Sequence, residues 1–474
     1  MTLSDIILMS QWFFLLYFIG MNLGYITLNI MSFFTLSRYM QEHGTEEGLS
    51  QEYADLQLPI SILSPAYNEE ATVAGSIRSL LQLNYPEYEI IVINDGSKDK
   101  TLEVLIQEFS LAPFPEAYRV RLQTKPVRTI YQSTVYPNLR VIDKENGGKA
   151  DALNVGINCA RYPLFCCIDA DSILQRDSLE KVVQPFLEDP TTVASGGTVR
   201  IANGCEVSGG FLMERGLPSN PLALFQIVEY MRAFLFGRLG WSPLNALLII
   251  SGAFGVFHKE KVISAGGYLT NTIGEDMELV VRLHRHLRQQ GVPYRITFVP
   301  DPICWTEAPE DLKTLKSQRV RWQRGLAESL AKNIDLLFNR KGGAVGWLAF
   351  PFMVIFEWLG PIIEVIGYIF MTVAFAFGMI SGQAMVAFLI VAMGLGVLLS
   401  VSAFLLEEIS FHIYPKPKHI LILFLVAVAE NFGYRQLNSV WRLMGLYYWT
   451  RGKKGHWGEM TRKASCSGIV NLAT

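Results

Sequence analysis

The chain has 474 residues, of which 50% are hydrophobic and only 18% are charged, and its mean hydropathy is +0.25. Its 41 lysines and arginines nearly balance its 43 aspartates and glutamates, giving a net charge of −2, which excludes a nucleic-acid-binding protein with a strongly basic surface. The high apolar content and low net charge also exclude a disordered chain. Because soluble domains carry roughly 25% charged residues, this composition indicates a membrane protein with a sizeable soluble part.

The first apolar stretch, residues 12–36, contains no charged residue and exceeds the roughly 20 residues that cross a bilayer. No small-residue cleavage site follows it, so it predicts a transmembrane anchor within residues 1–37 rather than a signal peptide. The six cysteines have neither the spacing of a disulfide framework nor that of a zinc site. We therefore expect reduced thiols and a soluble part that faces the cytoplasm.

Three more apolar stretches follow the soluble region, at residues 344–380, 384–406 and 419–449. The third is interrupted after residue 429 by polar and charged side chains, which we expect to face protein, water or the interface. Basic residues flank the whole region, and the positive-inside rule then places both flanks in the cytoplasm with an even number of crossings between them. Two full spans plus a broken segment satisfy this rule, as would four spans, and the interrupted stretch favours the broken segment.

These patterns divide the chain into five parts. The predicted parts are an N-terminal transmembrane helix (1–37), a cytoplasmic α/β domain (38–310), an amphipathic interface helix (311–343), transmembrane or re-entrant helices (344–450) and a basic cytoplasmic tail (451–474).

Four short apolar runs in the soluble region each end in a polar cluster. The runs are residues 58–63, 88–93, 139–142 and 164–168. Strands that are apolar along their whole length are typical of parallel sheets covered on both faces, and open α/β sheets bind ligands beyond the carboxyl ends of such strands. The sequence therefore predicts a doubly wound, mostly parallel sheet with a site at one edge, although each cluster alone could consist of ordinary turn residues.

The most specific feature is the pair Asp169 and Asp171, which follows the fourth run with one residue between them. Two carboxylates at an abrupt strand end could hold Mg²⁺ or Mn²⁺ on a diphosphate and so neutralise a departing phosphate. Asp95 could receive donors from a nucleotide base or ribose. Lys149, after two glycines, suits contact with phosphate but lacks the spacing of a P-loop.

A second acidic pair, Glu275 and Asp276, precedes an amphipathic helix pattern. These carboxylates could simply favour the helix N-terminus, or one of them could act as a general base. His284 and His286 lie two residues apart and so point to different faces of this helix. We expect both to be solvated and assign them no metal.

The segment 318–322, Gln-Arg-Val-Arg-Trp, closes the soluble region. Its arginines could belong to a basic interfacial helix that reaches toward lipid headgroups. Alternatively, one arginine could bind phosphate in a bidentate manner while Trp322 offers a flat face to a sugar ring.

Taken together, the motif residues follow one another in the order and spacing typical of one family. They are Asp95, Asp169-x-Asp171, Asp276 and Gln318-x-x-Arg321-Trp322. This series resembles that of the membrane-bound family 2 glycosyltransferases, which include the synthases of cellulose, hyaluronan and poly-N-acetylglucosamine. Supporting matches lie at residues 65–69, 148–154, 226–230 and 251–255.

The resemblance implies a GT-A fold and an inverting transfer of a sugar from a UDP-sugar. For the donor it implies uridine contacts from Tyr67, Glu69 and Asp95, with Asp169 beside the nucleotide. Diphosphate contacts are implied for Lys149, Gln318 and Arg321, and a Mg²⁺ or Mn²⁺ site for Asp171 together with Asp169. For the acceptor it implies stacking on Trp322 and deprotonation of the hydroxyl by Asp276.

Some features depart from the family pattern. Gly274 stands where many relatives have Thr, the Phe-Phe-x-Gly element typical of cellulose synthases is absent, and residues 110–138 look like an insertion to which we assign no role. These departures point away from cellulose and toward a poly-N-acetylglucosamine-like or other exopolysaccharide.

Three functional hypotheses follow. The first is a processive synthase in the inner or plasma membrane of a bacterium that threads its product through its own helices, with membrane lipids and an accessory subunit as partners. The second is a transferase that makes a single addition to a lipid-linked sugar. The third is a membrane receptor or scaffold that keeps the fold without turnover, and the intact Asp95, Asp171, Asp276 and Trp322 argue against it.

Overall fold

The computed structural model describes residues 2–43, 57–170, 172–208 and 211–452. The chain divides into two compact units. Within the described residues, one contains residues 2–40, 219–246 and 309–452, and the other contains residues 41–43, 57–170, 172–208, 211–218 and 247–308. The first is here called the helical unit and the second the sheet unit.

Twelve strands lie within the described part of the sheet unit: β1 (Ile60–Ala66), β2 (Tyr88–Asn94), β3 (Leu111–Pro113), β4 (Val127–Ser133), β5 (Leu139–Lys144), β6 (Leu164–Ile168), β7 (Ile173–Leu174), β8 (Thr192–Ile201), β9 (Glu206–Ser208), β10 (Phe211–Glu214), β11 (Phe254–His258) and β12 (Arg295–Thr306). The helices, numbered along the whole chain, are α1 (Leu3–His43), α2 (Val73–Leu80), α3 (Thr101–Glu108), α4 (Lys149–Cys159), α5 (Ser178–Glu188), α6 (Pro221–Met231), α7 (Lys259–Ser264), α8 (Glu275–Gln290), α9 (Leu312–Lys332), α10 (Val345–Trp358), α11 (Gly360–Ala376), α12 (Gly382–Phe411), α13 (Pro417–Ala429) and α14 (Tyr434–Thr450).

A ten-stranded sheet forms the core of the sheet unit, in the order β3-β4-β5-β2-β1-β6-β11-β8-β12-β7. Its centre, β5-β2-β1-β6, is parallel, and its apolar residues are almost fully buried, as expected for strands covered on both faces. The four predicted apolar runs are these four strands. Antiparallel β11 beside β6 makes the sheet more mixed than the sequence predicted, and the predicted GT-A class of fold is confirmed.

The register of the parallel strands brings their polar ends together. Ala66 at the end of β1 lies opposite Asn94 at the end of β2, and Asn94 lies opposite Asp143 near the end of β5. Because the carboxyl ends of parallel strands meet at one edge, the loops that follow these strands share that edge.

The predicted insertion, residues 110–138, extends the sheet. It supplies β3 and β4, which pair with each other antiparallel, and β4 pairs antiparallel with β5. The segment therefore covers the edge of β5 with added strands, which is one way to protect an exposed strand edge.

The histidine prediction was wrong for one of its two residues. His284 is buried, its ring nitrogens 2.8 Å from the Leu247 carbonyl and 2.7 Å from the Tyr294 hydroxyl, and burial lowers its pKa to about 3. The i and i+2 spacing does place the two rings on different faces of α8. The face that carries His284 is turned to the interior of the sheet unit and not to solvent. His286 stays partly exposed.

In the described part of the helical unit, two helices are long and apolar enough to cross a membrane, α1 and α12. Two bent pairs raise this number to four if each pair is one span: α10 with α11, bent by 44°, and α13 with α14, bent by 56°. The second bend lies where the sequence predicts a broken segment. These apolar helices are consistent with a membrane protein, and the five-part division of the chain stays a prediction.

The polar residues at the second bend face protein, as expected. Glu430 is fully buried and pairs with Arg232 at 2.5 Å, and it also accepts a hydrogen bond from the Ser400 hydroxyl. In the same unit, Arg442 pairs with Glu357 at 2.7 Å. A buried charge that is paired and hydrogen-bonded avoids most of the desolvation penalty of an isolated one.

Candidate active site

Asp95, at the end of β2, organises the loop that follows β5. Its Oδ1 accepts hydrogen bonds from the Lys144 ammonium at 2.5 Å and from the Gly147 amide at 3.0 Å, and its Oδ2 accepts one from the Gly148 amide at 2.7 Å. Gly148 has a φ of +85°, a conformation that favours glycine. Asp95 therefore holds the glycine loop 146–148 in place, and its predicted contact with uridine stays a prediction.

Lys144 is a site residue that the sequence analysis missed. Its side chain is fully buried, and its ammonium lies 2.5 Å from Asp95 and 2.8 Å from Asp151. It lies at the end of β5, just before the glycine loop. Its sequence signal is a charged residue at the end of a strand that also contains Arg140 and Asp143, and that signal does not distinguish burial from exposure.

Lys149, the first residue of α4, lies close to two acidic side chains. Its ammonium donates to Asp169 and to the Gly252 carbonyl at 3.3 Å, and it lies 3.8 Å from Glu275. Burial opposes the charged form, but Asp169 and Glu275 outweigh it and raise the pKa of Lys149. The site therefore holds a charged lysine at the carboxyl edge of the sheet, where it can meet an anionic ligand.

Glu275 and Asp276, in the first turn of α8, differ in accessibility. Glu275 is 6% exposed, and burial raises its pKa to about 7 despite the opposing effect of Lys149. Asp276 is partly exposed. Its Oδ2 accepts from the Gly252 amide at 3.0 Å, and its Oδ1 accepts from the Met277 amide at 2.8 Å. Asp276 is thus the carboxylate of this pair that is oriented and open to a ligand.

Gly252 lies next to both the Asp276 carboxylate and the Lys149 ammonium. A Cβ at this position would lie 3.2 Å from the Asp276 carboxylate and 3.2 Å from the Lys149 ammonium. The residue belongs to the 251–255 motif, so the structure supplies a physical reason for glycine there.

Tyr67 and Glu69 lie on the loop after β1, which is hydrogen-bonded to the loop after Asp95. The Asn68 side chain accepts from the Lys98 amide at 2.8 Å, and the Glu69 amide donates to the Thr101 hydroxyl at 2.8 Å. Tyr67 is 42% exposed. The structure therefore brings the loops of Tyr67, Glu69 and Asp95 together, as a shared nucleotide site requires.

The structure describes one of the two predicted metal ligands. Asp169 is described, with its side chain 34% exposed, whereas Asp171 lies outside the described residues. Among the residues that the structure describes, no group of three or more His, Cys, Asp or Glu side chains could hold a metal ion. Since Mg²⁺ is commonly bound by one or two carboxylates plus substrate phosphates, a single accessible carboxylate still fits such an ion.

The last motif residues lie on α9 in the helical unit. Gln318 is buried, Arg321 is partly exposed and Trp322 is 43% exposed. Asp95, Lys149, Asp169 and Asp276 belong to the sheet unit. The sheet unit thus contains Asp95, Lys149, Asp169 and Asp276, and the helical unit contains the residues of the last motif.

Two family models match the chain. Residues 61–208 match the model described as glycosyl transferase family 2, and residues 164–401, half of the chain, match the one described as glycosyl transferase family group 2. These matches cover the sheet unit and extend into the apolar helices.

Proteins named poly-beta-1,6-N-acetyl-D-glucosamine synthase are similar to the chain. The one from Staphylococcus epidermidis is 28% identical over 373 residues, which cover 78% of this chain and 77% of that protein. The one from Staphylococcus aureus strain COL is 31% identical over 310 residues, covering 65% of this chain and 64% of that protein. The chain thus spans just under two thirds of the S. aureus relative.

Two of the solved structures to which the chain is similar are those of PcManGT and TarS. The mannosyltransferase PcManGT from Pyrobaculum calidifontis, in complex with GDP-Man and Mn²⁺, aligns with a TM-score of 0.48 at 16% identity, covering 92% of this chain and all of that one. S. aureus TarS 1–349 in complex with UDP-GlcNAc aligns with a TM-score of 0.37 at 13% identity, covering 80% of this chain and 92% of that one.

Proposed function

Because the chain belongs to glycosyl transferase family 2, we propose that it extends a poly-β-N-acetylglucosamine-like exopolysaccharide with sugar from a UDP-sugar, inverting the anomeric carbon. The observation that carries this proposal is the cluster of Lys149, Asp169 and Asp276 at the carboxyl edge of the sheet. The similarity to poly-beta-1,6-N-acetyl-D-glucosamine synthases supports N-acetylglucosamine as the sugar.

In this proposal the sheet unit binds the donor. Tyr67, Glu69 and Asp95 contact the uridine, while the positive charge of Lys149 meets the diphosphate. A fixed cation stabilises the charge that develops on the departing UDP, and it needs no reorganisation during the reaction. Gln318 and Arg321 add diphosphate contacts, a role that rests on their motif.

Asp276 is proposed as the general base. It takes the proton of the acceptor hydroxyl while that oxygen bonds to the anomeric carbon and the bond from this carbon to the UDP oxygen breaks. Two amide donors, from Gly252 and Met277, hold the carboxylate in one orientation, and its exposure leaves it accessible to the hydroxyl. Glu275 is more deeply buried, which argues against it as the base.

A divalent cation, Mg²⁺ or Mn²⁺, is proposed at Asp169 with Asp171. When bound, it would neutralise negative charge on the diphosphate leaving group. The accessible carboxylate of Asp169 supports this assignment. Asp171→Asn is then expected to weaken metal-dependent UDP binding, and unchanged metal dependence of UDP binding would count against the assignment.

The proposed location is the bacterial inner or plasma membrane, with several crossings and the sheet unit in the cytoplasm, where nucleotide sugars are made. Basic flanks on both sides of the C-terminal apolar region support this orientation. Trp322 would stack on the acceptor sugar, and the product would leave through the chain's own helices. An accessory membrane or secretion subunit and lipid contacts belong to the same proposal.

The size of the reaction product tests the proposed function. Purified protein in detergent, given a panel of UDP-sugars with or without Mg²⁺ or Mn²⁺, should release UDP and form a ladder of long products with UDP-N-acetylglucosamine. A single added sugar on a lipid-linked acceptor would support the second hypothesis, and no UDP release with any donor would support a scaffold. Asp276→Asn is the matched control: it should lose transfer yet still bind UDP, and normal turnover by this variant would refute its role as base.

A further inference from the structure

The motif Gln226-x-x-Glu229-Tyr230 has no role in the proposed reaction, yet it is anchored on both sides of α6. Gln226 is fully buried, and its amide donates to the carbonyls of Leu222 at 3.0 Å and Pro309 at 2.8 Å. Pro309 lies just before α9 begins at Leu312. The first half of the motif therefore ties α6 to the start of the helix that carries Trp322.

Glu229 lies one turn further along α6 and joins three helices of the helical unit. Its Oε2 accepts a hydrogen bond from Arg319 Nη2 of α9 at 2.8 Å and one from the Tyr434 hydroxyl of α14 at 2.8 Å. Arg319 is 3% exposed and Glu229 is 20% exposed. A buried donor is costly to leave without an acceptor, so the Glu229 oxygen that accepts from Arg319 and Tyr434 holds the Arg319 guanidinium in place.

Arg319 in turn lies against Trp322. Its guanidinium carbon is 4.4 Å from the centroid of the Trp322 ring, within the range of a cation–π contact. The two residues are three apart on α9 and so share a face. Trp322 remains 43% exposed. One part of the indole is therefore held by a buried, paired cation, and the rest is available to a ligand.

We propose that Glu229 is a positioning residue for acceptor binding: through Arg319 it holds the Trp322 ring in the orientation in which it stacks on the acceptor sugar. This inference rests on the proposed function, since it takes the ligand of Trp322 to be the growing glycan. A pre-oriented ring binds more tightly because less side-chain freedom is lost on binding. Glu229 itself touches neither donor nor acceptor.

The test compares Glu229→Ala with Glu229→Gln and with Glu328→Gln. In Glu229→Gln, the side-chain amide oxygen can still accept hydrogen bonds from Arg319 and Tyr434. Glu328 pairs with Arg324 at 3.0 Å on the same helix α9, with both side chains similarly buried, so its variant controls for the loss of an ion pair away from Trp322.

Two quantities are measured for each variant: the affinity for a β-1,6-linked N-acetylglucosamine pentasaccharide without UDP-sugar, and the KM for UDP-N-acetylglucosamine. Glu229→Ala should weaken pentasaccharide binding about tenfold and leave the donor KM within about twofold of wild type. Glu229→Gln should restore most of the affinity, and Glu328→Gln should bind as the wild type does. In a Trp322→Ala background, Glu229→Ala should cause no further loss, because the two changes act through one ring.

Wild-type affinity in Glu229→Ala, an equal rise in the donor KM, or an additive loss in the Trp322→Ala background would overturn the inference. The proposed function and this inference can fail separately. If the proposed function is wrong, the wild-type protein makes no polymer. Pentasaccharide binding by the wild type and the variants still tests whether Glu229 positions Trp322.

Discussion

Gly252→Ala tests whether the carboxylate and the ammonium of the candidate site must keep their spacing. Gly252 donates its amide to Asp276 at 3.0 Å and accepts from Lys149 at 3.3 Å. An added Cβ would lie 3.2 Å from the reactive atom of each partner, closer than ordinary van der Waals contact. Both side chains must then shift by a few tenths of an ångström.

The magnitude follows from this shift. A misplacement of about 1 Å in an active site can lower the rate about 100-fold, so a shift of roughly a third of that should lower kcat about five- to tenfold, or about 1 to 1.4 kcal/mol in activation free energy. Gly252 is outside the positive-φ glycines, so alanine introduces no backbone strain and the effect should be confined to the site.

The assay is the rate of UDP release at saturating UDP-sugar, measured together with the thermal unfolding midpoint Tm in detergent. Gly75→Ala is the matched control, because Gly75 lies within α2 and nothing lies within 4 Å of an added Cβ. It should keep full activity and gain about 0.5 to 1 kcal/mol of stability. Wild-type kcat in Gly252→Ala, or a Tm loss that accounts for its lower activity, would refute the reasoning.

Three further predictions concern the two units separately. Lys144→Met leaves Asp95 and Asp151 as buried carboxylates without their cation and should lower the free energy of unfolding by about 3 to 5 kcal/mol; a Tm equal to that of the wild type would contradict this. Trp322→Ala should shorten the product while the affinity for UDP stays unchanged, and products of wild-type length would contradict acceptor stacking. Burial raises the pKa of Glu275 from 4.5 to about 7, so its contribution to stability is complete below pH 4.5 and is lost as the pH rises through 7. Glu275→Gln should therefore flatten the decline of Tm over this range, and a Tm profile parallel to the wild type would show that another group is responsible.

Much of the donor side could be predicted from the sequence, because it depends on local pattern. The strands before Asp95 and Asp169 are nearly all apolar, and that pattern predicts parallel strands whose polar ends share an edge. The structure does place Asp169 with Lys149 at that edge. The helix start at residues 275 and 276 predicted only that one of two carboxylates could be a base, and the family resemblance pointed to Asp276; its orientation by the Gly252 amide appears only in the fold.

Other residues could not be assigned without the fold. The sequence pattern does not distinguish a buried from an exposed Lys144, which is fully buried between two carboxylates. His284 was predicted to be solvated, and instead it lies in the core. In both cases the neighbouring groups come from distant segments that no local pattern connects. His284 and Leu247, for example, are 37 positions apart.

The sequence by itself determined the division into apolar helices and an α/β region and the four central strands, since hydrophobic periodicity is a local property. It predicted the candidate site residues through their family motifs. The tertiary structure alone decided which charged groups are buried and what they pair with. Glu229 and Tyr434 are 205 residues apart, and Lys149 and Gly252 are 103 apart. Burial and charge pairing depend on neighbours brought together by folding, so the positioning of Asp276 and Trp322 became visible only in three dimensions.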